Sequence, residues 1–91
     1  MAWIIKFEER AKRELKKLGR NAQRDILDYF DHRIAAAKDP RQFGAPLRHD
    51  LQGYWKYRIG DWRAICKIQD RYITVLVLRV GHRKEIYDFK K

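Results

Sequence analysis

Two alternating stretches, residues 54–59 and 62–69, meet at Gly60-Asp61, and that junction constrains the fold more than any other feature of the chain. Alternation of apolar and polar side chains is the period of a strand with one buried face. A two-residue Gly-Asp link has the length and chemistry of a tight hairpin turn. Such a turn leaves one register: Ile59 opposite Trp62, Tyr57 opposite Ala64, and Trp55 opposite Cys66. These six share a face, and core is the expected role of its aromatic residues rather than base stacking. The other face then carries Lys56, Arg58, Arg63 and Lys67, with Arg58 directly across from Arg63. Like charges opposed across a strand pair destabilise it by roughly 0.2–1 kcal/mol. A bound anion between them removes that penalty, so the register predicts a phosphate site. Ile65, Leu76 and Leu78 fall on the same face, where apolar groups beside cations predict a cover, either the C-terminal segment or a partner chain.

The remainder of the chain supplies what such a sheet needs. Trp3 to Phe7 reads as a short strand. Phe7, Ala11, Leu15 and Leu18 then form one helical stripe, stopped at Gly19. A second stripe, Ala22, Ile26, Phe30, Ile34 and Ala37, predicts another helix, capped by Asn21 and ended at Asp39-Pro40. The two make an antiparallel hairpin. Residues 39–53, with Pro40, Gly44, Pro46 and Gly53, read as a long loop. Tyr72–Val80 reads as a further strand, joined through a second two-residue turn at Asp70-Arg71 and broken at Gly81. The expected fold class is α+β, with residues 1–91 forming a single domain. In it an N-terminal strand and a helical hairpin precede an antiparallel meander, and the helices cover one face of a twisted sheet.

Charge narrows the function. The chain carries 22 Lys and Arg against 12 Asp and Glu, a formal net charge of +10, and both of its halves are basic. A surface of that kind attracts polyanions. The one cysteine, Cys66, allows no internal disulfide, and no Cys/His spacing suits zinc. No apolar run is long enough to cross a bilayer. The expectation is a cytoplasmic protein that needs no cofactor and binds no membrane. After the last strand, Gly81-His82-Arg83-Lys84-Glu85-Ile86-Tyr87 places imidazole, guanidinium and phenol together. Those groups can carry out acid–base chemistry on a phosphodiester without a metal.

Taken in order, several stretches resemble the RelE/ParE toxin superfamily over nearly the whole chain. They are Phe7-Glu8-Glu9-Arg10-Ala11 with Leu15–Leu18, Pro46-Leu47-Arg48, Gly53-Tyr54-Trp55-Lys56-Tyr57-Arg58, Gly60-Asp61-Trp62-Arg63, and Val80 through Tyr87. The resemblance implies a microbial RNase-like fold and a cognate antitoxin that wraps the toxin and carries the complex to its operator DNA. For the RelE-type members it implies cleavage of mRNA in the ribosomal A site, in which the 2′-hydroxyl attacks the adjacent phosphate and leaves a 2′,3′-cyclic phosphate. By position, Lys56, Arg58, Arg63, Arg83 and Tyr87 match the catalytic and phosphate-binding set. Arg63 would hold the transition-state phosphate, Arg83 would bind phosphate or help protonate the leaving 5′-oxygen, and Tyr87 would stack on or orient a base and its sugar. Lys56 would contact the backbone or help activate the 2′-hydroxyl. Arg48, Lys67 and Lys84 are further expected RNA contacts. RelE has a second lysine where this chain has Arg58, and arginine is a poor general base. The base role therefore passes to Lys56 or His82, or is left to electrostatics. Two other readings remain from the same residues: a ParE-like toxin acting on DNA gyrase, and a non-catalytic basic RNA-binding protein.

Overall fold

The computed structural model describes residues 2–48 and 53–86. Strand β1 (Ile4–Phe7) leads into helix α1 (Glu9–Lys16) and helix α2 (Arg20–Asp28), which continues as a π-helical turn over Tyr29–Ile34. A 3-10 turn at Pro40–Gln42 precedes β2 (Ala45–Pro46), β3 (Trp55–Ile59), β4 (Trp62–Gln69), a second 3-10 turn at Asp70–Tyr72, and β5 (Thr74–His82). The five strands form one sheet in the order β1-β5-β4-β3-β2. The chain is thus α+β, and its sheet is mixed because β1 runs parallel to β5 while the other neighbours are antiparallel. Among the described residues no helix is long and apolar enough to cross a membrane.

The helical stripes close the core. Ala11, Ile26, Phe30 and Ile34 are fully buried against Tyr57, Ala64, Cys66, Val75 and Val77 of the sheet. Phe30 meets the rings of Phe7, Tyr29 and Tyr57 edge-on, with centroids 5.6–5.8 Å apart, the arrangement that ring quadrupoles favour. Burial pushes the Cys66 thiol and the Tyr57 phenol well above their ordinary values, so both stay neutral within the core. The Tyr57 hydroxyl donates to the Pro40 carbonyl at 2.8 Å and so fixes the loop over the sheet. Tyr57→Phe should therefore cost about 1–1.5 kcal/mol, seen as a lower urea midpoint at unchanged slope. An unchanged midpoint would mean that the bond contributes nothing net.

Several boundaries differ from the sequence expectations, each for a local reason. Helix α2 starts at Arg20, one residue before the expected cap Asn21, because Gln23 N already bonds Gly19 O at 3.0 Å. The loop at 39–53 contains β2, two residues paired with Trp55 and Lys56, too short for alternation to reveal. Asp70-Arg71 is not a two-residue turn. The chain makes a 3-10 turn and reverses through Ile73, which takes the left-handed conformation at φ 48°. Gly81 does not end the last strand: β5 continues through it to His82, and the open position lets Ile86 pack on Gly81.

Arg41 forks onto Asp70 through two bonds of 2.9 and 2.6 Å, tying the Pro40 turn to the β4–β5 connection. The Arg41 hydrogen bond is the main cause that lowers the Asp70 carboxyl below its ordinary 3.8. A lowered folded pKa gives stability that is complete above 3.8 and is lost as pH falls through the folded value. Chemical denaturation from pH 6 down to pH 2 should show Asp70→Asn losing less stability with acid than the wild-type chain. Equal losses would show that the pair adds nothing to folding.

The last feature of the fold is a bulge. Ile65 faces Arg79 and Cys66 faces Val77, so β5 carries one extra residue, Leu78, between them. Alternation shifts phase there, and Val80 returns to the core opposite Ala64. Strand β1 has ended by then, its last pair being Phe7 with Val77. Glu14 of α1 occupies the vacant edge: its carboxylate accepts the Val80 amide at 3.0 Å and pairs with Arg79 Nε at 2.8 Å.

Candidate phosphate-binding recess

The hairpin register is the one that the turn dictates: Trp55 faces Cys66, Tyr57 faces Ala64, Arg58 faces Arg63 and Ile59 faces Trp62. Residues paired in this way project from the same face of a sheet. Lys56, Arg58 and Arg63 thus stand together on the face opposite the helices. With Gly44 and Ala45 they line a recess of about 450 Å³ that spans β2, β3 and β4. Among the described residues no Asp or Glu lines it.

Each cation has its own setting. Arg63 is only 6% exposed. Its Nη1 donates to the Gly60 and Trp62 carbonyls, both at 2.8 Å, so the turn itself grips the guanidinium. No acceptor among the described residues takes its Nε–H and Nη2 hydrogens, which leaves the edge suited to bidentate contact with a phosphate. Arg58 is exposed across from it, and no carboxylate of the described residues pairs with it. Lys56 is half-buried on β3, beside Ala45 and Ile65. The expected cover over the apolar groups is present for Ile65, 1% exposed within the chain itself, while Leu76 and Leu78 are half-buried.

The remaining expected site residues are spread around this recess. Arg83 is exposed in the turn after β5. Its amide bonds the Asp61 carbonyl at 2.9 Å and its Nε lies 3.9 Å from the Asp61 carboxylate. Arg63 and Arg83 are therefore anchored on one hairpin turn, the first through its side chain and the second mainly through its backbone. His82 sits opposite Trp62, on the face turned away from Arg63, with the two rings edge-on at 5.6 Å. Its Nδ1 accepts the Lys84 amide at 3.2 Å. It lines a separate groove of about 500 Å³ with Leu18, Trp62 and Ile86, and so does not join the recess. Lys67 is exposed on the recess face but lies four residues beyond Arg63 and does not line the recess. Arg48 is exposed just past β2, and Lys84 is exposed in the last turn. Tyr87 lies outside the described residues.

One residue that matters to this end of the molecule escaped the sequence reading. Glu14 falls at the helical spacing of Ala11, Leu15 and Leu18, an inward position for a carboxylate. That position was the available signal. Among the described residues no group of three or more His, Cys, Asp or Glu could hold a metal ion. The recess, lined by three cations, has the chemistry of an anion site.

Residues 5–87 match the family described as the ParE toxin of the parDE type II toxin–antitoxin system. The chain is 32% identical over 87 residues to Toxin RelG of Mycobacterium tuberculosis, covering 96% of this chain and 98% of that one. Among solved structures it is similar to a chain of the RelBE2 toxin–antitoxin complex of M. tuberculosis, with TM-score 0.84 and 29% identity over 93% of this chain and 95% of that one. It also shares the fold of the isolated Escherichia coli RelE toxin, with TM-score 0.70 and 23% identity over 96% and 93% of the two chains.

Proposed function

The chain belongs to the RelE/ParE superfamily of type II toxins, and from that premise we propose that it is an endoribonuclease that cuts mRNA in the A site of the ribosome. The observation that carries this reading is the recess in which Lys56, Arg58 and Arg63 converge, with no acidic residue among the described ones that line it. Two arginines directly opposed are unfavourable alone and favourable around a phosphate.

In the proposed reaction the mRNA 2′-hydroxyl loses its proton and its oxygen attacks the adjacent phosphorus. The P–O5′ bond breaks, the 5′-oxygen takes up a proton, and the products are a 2′,3′-cyclic phosphate and a free 5′-hydroxyl. Arg63, gripped by the turn, holds the phosphoryl oxygens as negative charge builds on them, where prepositioned donors contribute most. Arg58 supplies the second charge. Arg83, at the mouth of the same turn, serves the leaving oxygen, and Tyr87 stacks on a base. Lys56, as the neutral amine, would take the 2′ proton and become the ammonium. His82, on the other sheet face, reaches the recess only around the end of the sheet, so Lys56 takes precedence over it as base. Alignment of the 2′-hydroxyl on the ribosome then supplies much of the rate. Arg48, Lys67 and Lys84 guide the flanking backbone. The chain's own cations do the electrostatic work, without a metal. The protein would act in the cytoplasm, be held inactive by a cognate antitoxin, and reach operator DNA through that antitoxin.

Primer extension on a defined mRNA, translated with purified ribosomes, tests the proposal. Cuts confined to A-site codons and absent from naked mRNA are expected. Cuts on naked mRNA would remove the ribosome from the mechanism, and intact mRNA would leave a basic RNA-binding protein at most. Because the matching family carries the ParE description, inhibition of DNA gyrase is the second reading. A supercoiling assay with the same preparation separates the two.

A further inference from the structure

We infer that Glu14, on α1, is a positioning residue that sets the register of the segment bearing Arg83. Strand β5 reaches the recess end only after its bulge. Without Leu78 as the extra residue, Arg79 would face Ala64 in the core and Val80 would take the place opposite Arg63 that Gly81 now holds. The shifted register is what puts Gly81 across from Arg63 and brings the Arg83 amide onto the Asp61 carbonyl.

A register that depends on one extra residue needs something to hold it, and among the described residues no strand does so on the outer side, since β1 ends at Phe7. Glu14 provides that hold. One carboxylate oxygen takes the Val80 amide at 3.0 Å, and both oxygens lie within 3.1 Å of Arg79 Nε. The pair is well shielded, with side chains 14% and 22% exposed. Both groups that Glu14 binds directly follow the bulge residue. In the slipped register Arg79 would turn inward and the carboxylate would lose the geometry for both contacts. The segment is then fastened at two points, Val80 by Glu14 and Arg83 by the Gly60-Asp61 turn, and Arg63 is gripped by that same turn. A helix on the far side of the sheet thereby acts on the recess with no contact to a substrate.

For its activity arm the inference rests on the mRNA-cleavage reading. The test compares ribosome-dependent cleavage by wild type, Glu14→Ala, Glu14→Gln, Arg83→Ala and the Glu14→Ala/Arg83→Ala double variant, each confirmed folded by circular dichroism. Glu14→Ala should lower kcat about 10-fold with KM within about twofold, since the ribosome-facing surface is unchanged. Glu14→Gln, which keeps an acceptor for Val80, should recover much of the loss. In the Arg83→Ala background the Glu14 effect should vanish, because its route of action is gone. Wild-type rates for Glu14→Ala, or losses that multiply in the double variant, would overturn the inference. If Glu14→Ala does not fold, the same comparison is made with Glu14→Gln. Should the wild-type protein cut nothing, the cleavage reading fails by itself, and amide exchange still decides the positioning role. Loss of the Glu14 contact should speed exchange of the Val80 and Arg83 amides at least 10-fold while the Tyr57 amide stays protected. Unchanged protection at Arg83 would overturn it.

Discussion

Arg63→Ala should reduce cleavage by about 10²–10³-fold, the loss typical of removing one prepositioned donor from a developing oxyanion, while leaving the protein folded. Arg63 differs from the other cations of the recess in being almost wholly buried and in having its Nη1 committed to the Gly60 and Trp62 carbonyls. Its orientation is settled before substrate arrives, so little reorganisation is left for the transition state to drive. Arg58, exposed and held by no described carboxylate, must be ordered by the substrate and should matter less. Arg63→Lys should rescue poorly, because an ammonium cannot keep two turn carbonyls and still present a planar two-point edge. Single-turnover rates on programmed ribosomes provide the measure. A loss under about fivefold for Arg63→Ala would remove it from the transition state.

Gly44→Ala should produce the largest loss of stability of any single methyl addition in the described chain. Gly44 has φ +73°, and a Cβ there would run into the Lys56 carbonyl oxygen and lie 2.8 Å from Trp55 Nε1 and 2.9 Å from Tyr57 Cδ1. Left-handed strain costs about 1–2 kcal/mol, and overpacking against a fixed backbone adds about 1–3 kcal/mol. A total of about 2–5 kcal/mol is a large part of the 5–15 kcal/mol that holds a typical domain together. Gly60→Ala is the matched control. It has φ +58° but nothing within 4 Å, so strain alone should cost about 1 kcal/mol. Thermal melts should separate the two by at least about 5 °C. Similar melting temperatures would mean that the β2–β3 edge yields easily and that the recess wall is soft.

The sequence made the β3–β4 hairpin legible because its cause is local: a two-residue turn admits one register, and alternation assigns the faces. That is enough to gather Lys56, Arg58 and Arg63 on one face. Other features depend on partners far away in the chain. The bulge at Leu78 shows no glycine or proline, and its stabilising carboxylate comes from α1. His82 falls within two residues of Arg63's cross-strand neighbourhood, yet the pleat turns it to the opposite face, beside Trp62. Strand β2 is two residues long and exists because Gly44 lets the chain lie against β3. The Asp70–Tyr72 turn was hidden by Ile73, a β-branched residue in a conformation that such residues rarely adopt.

The parallel pairing of β1 with β5 also has a consequence in time. Ile4 finds its partner Thr74 about 70 residues later in the chain. During synthesis the helices and the β3–β4 hairpin emerge first, with their buried faces open, and the first strand waits for the last. Contacts so distant in sequence are slow to form, so the growing chain spends its making with the sheet incomplete at the β5 position. The edge that Glu14 guards comes into being only after β1 to β4 have all been made.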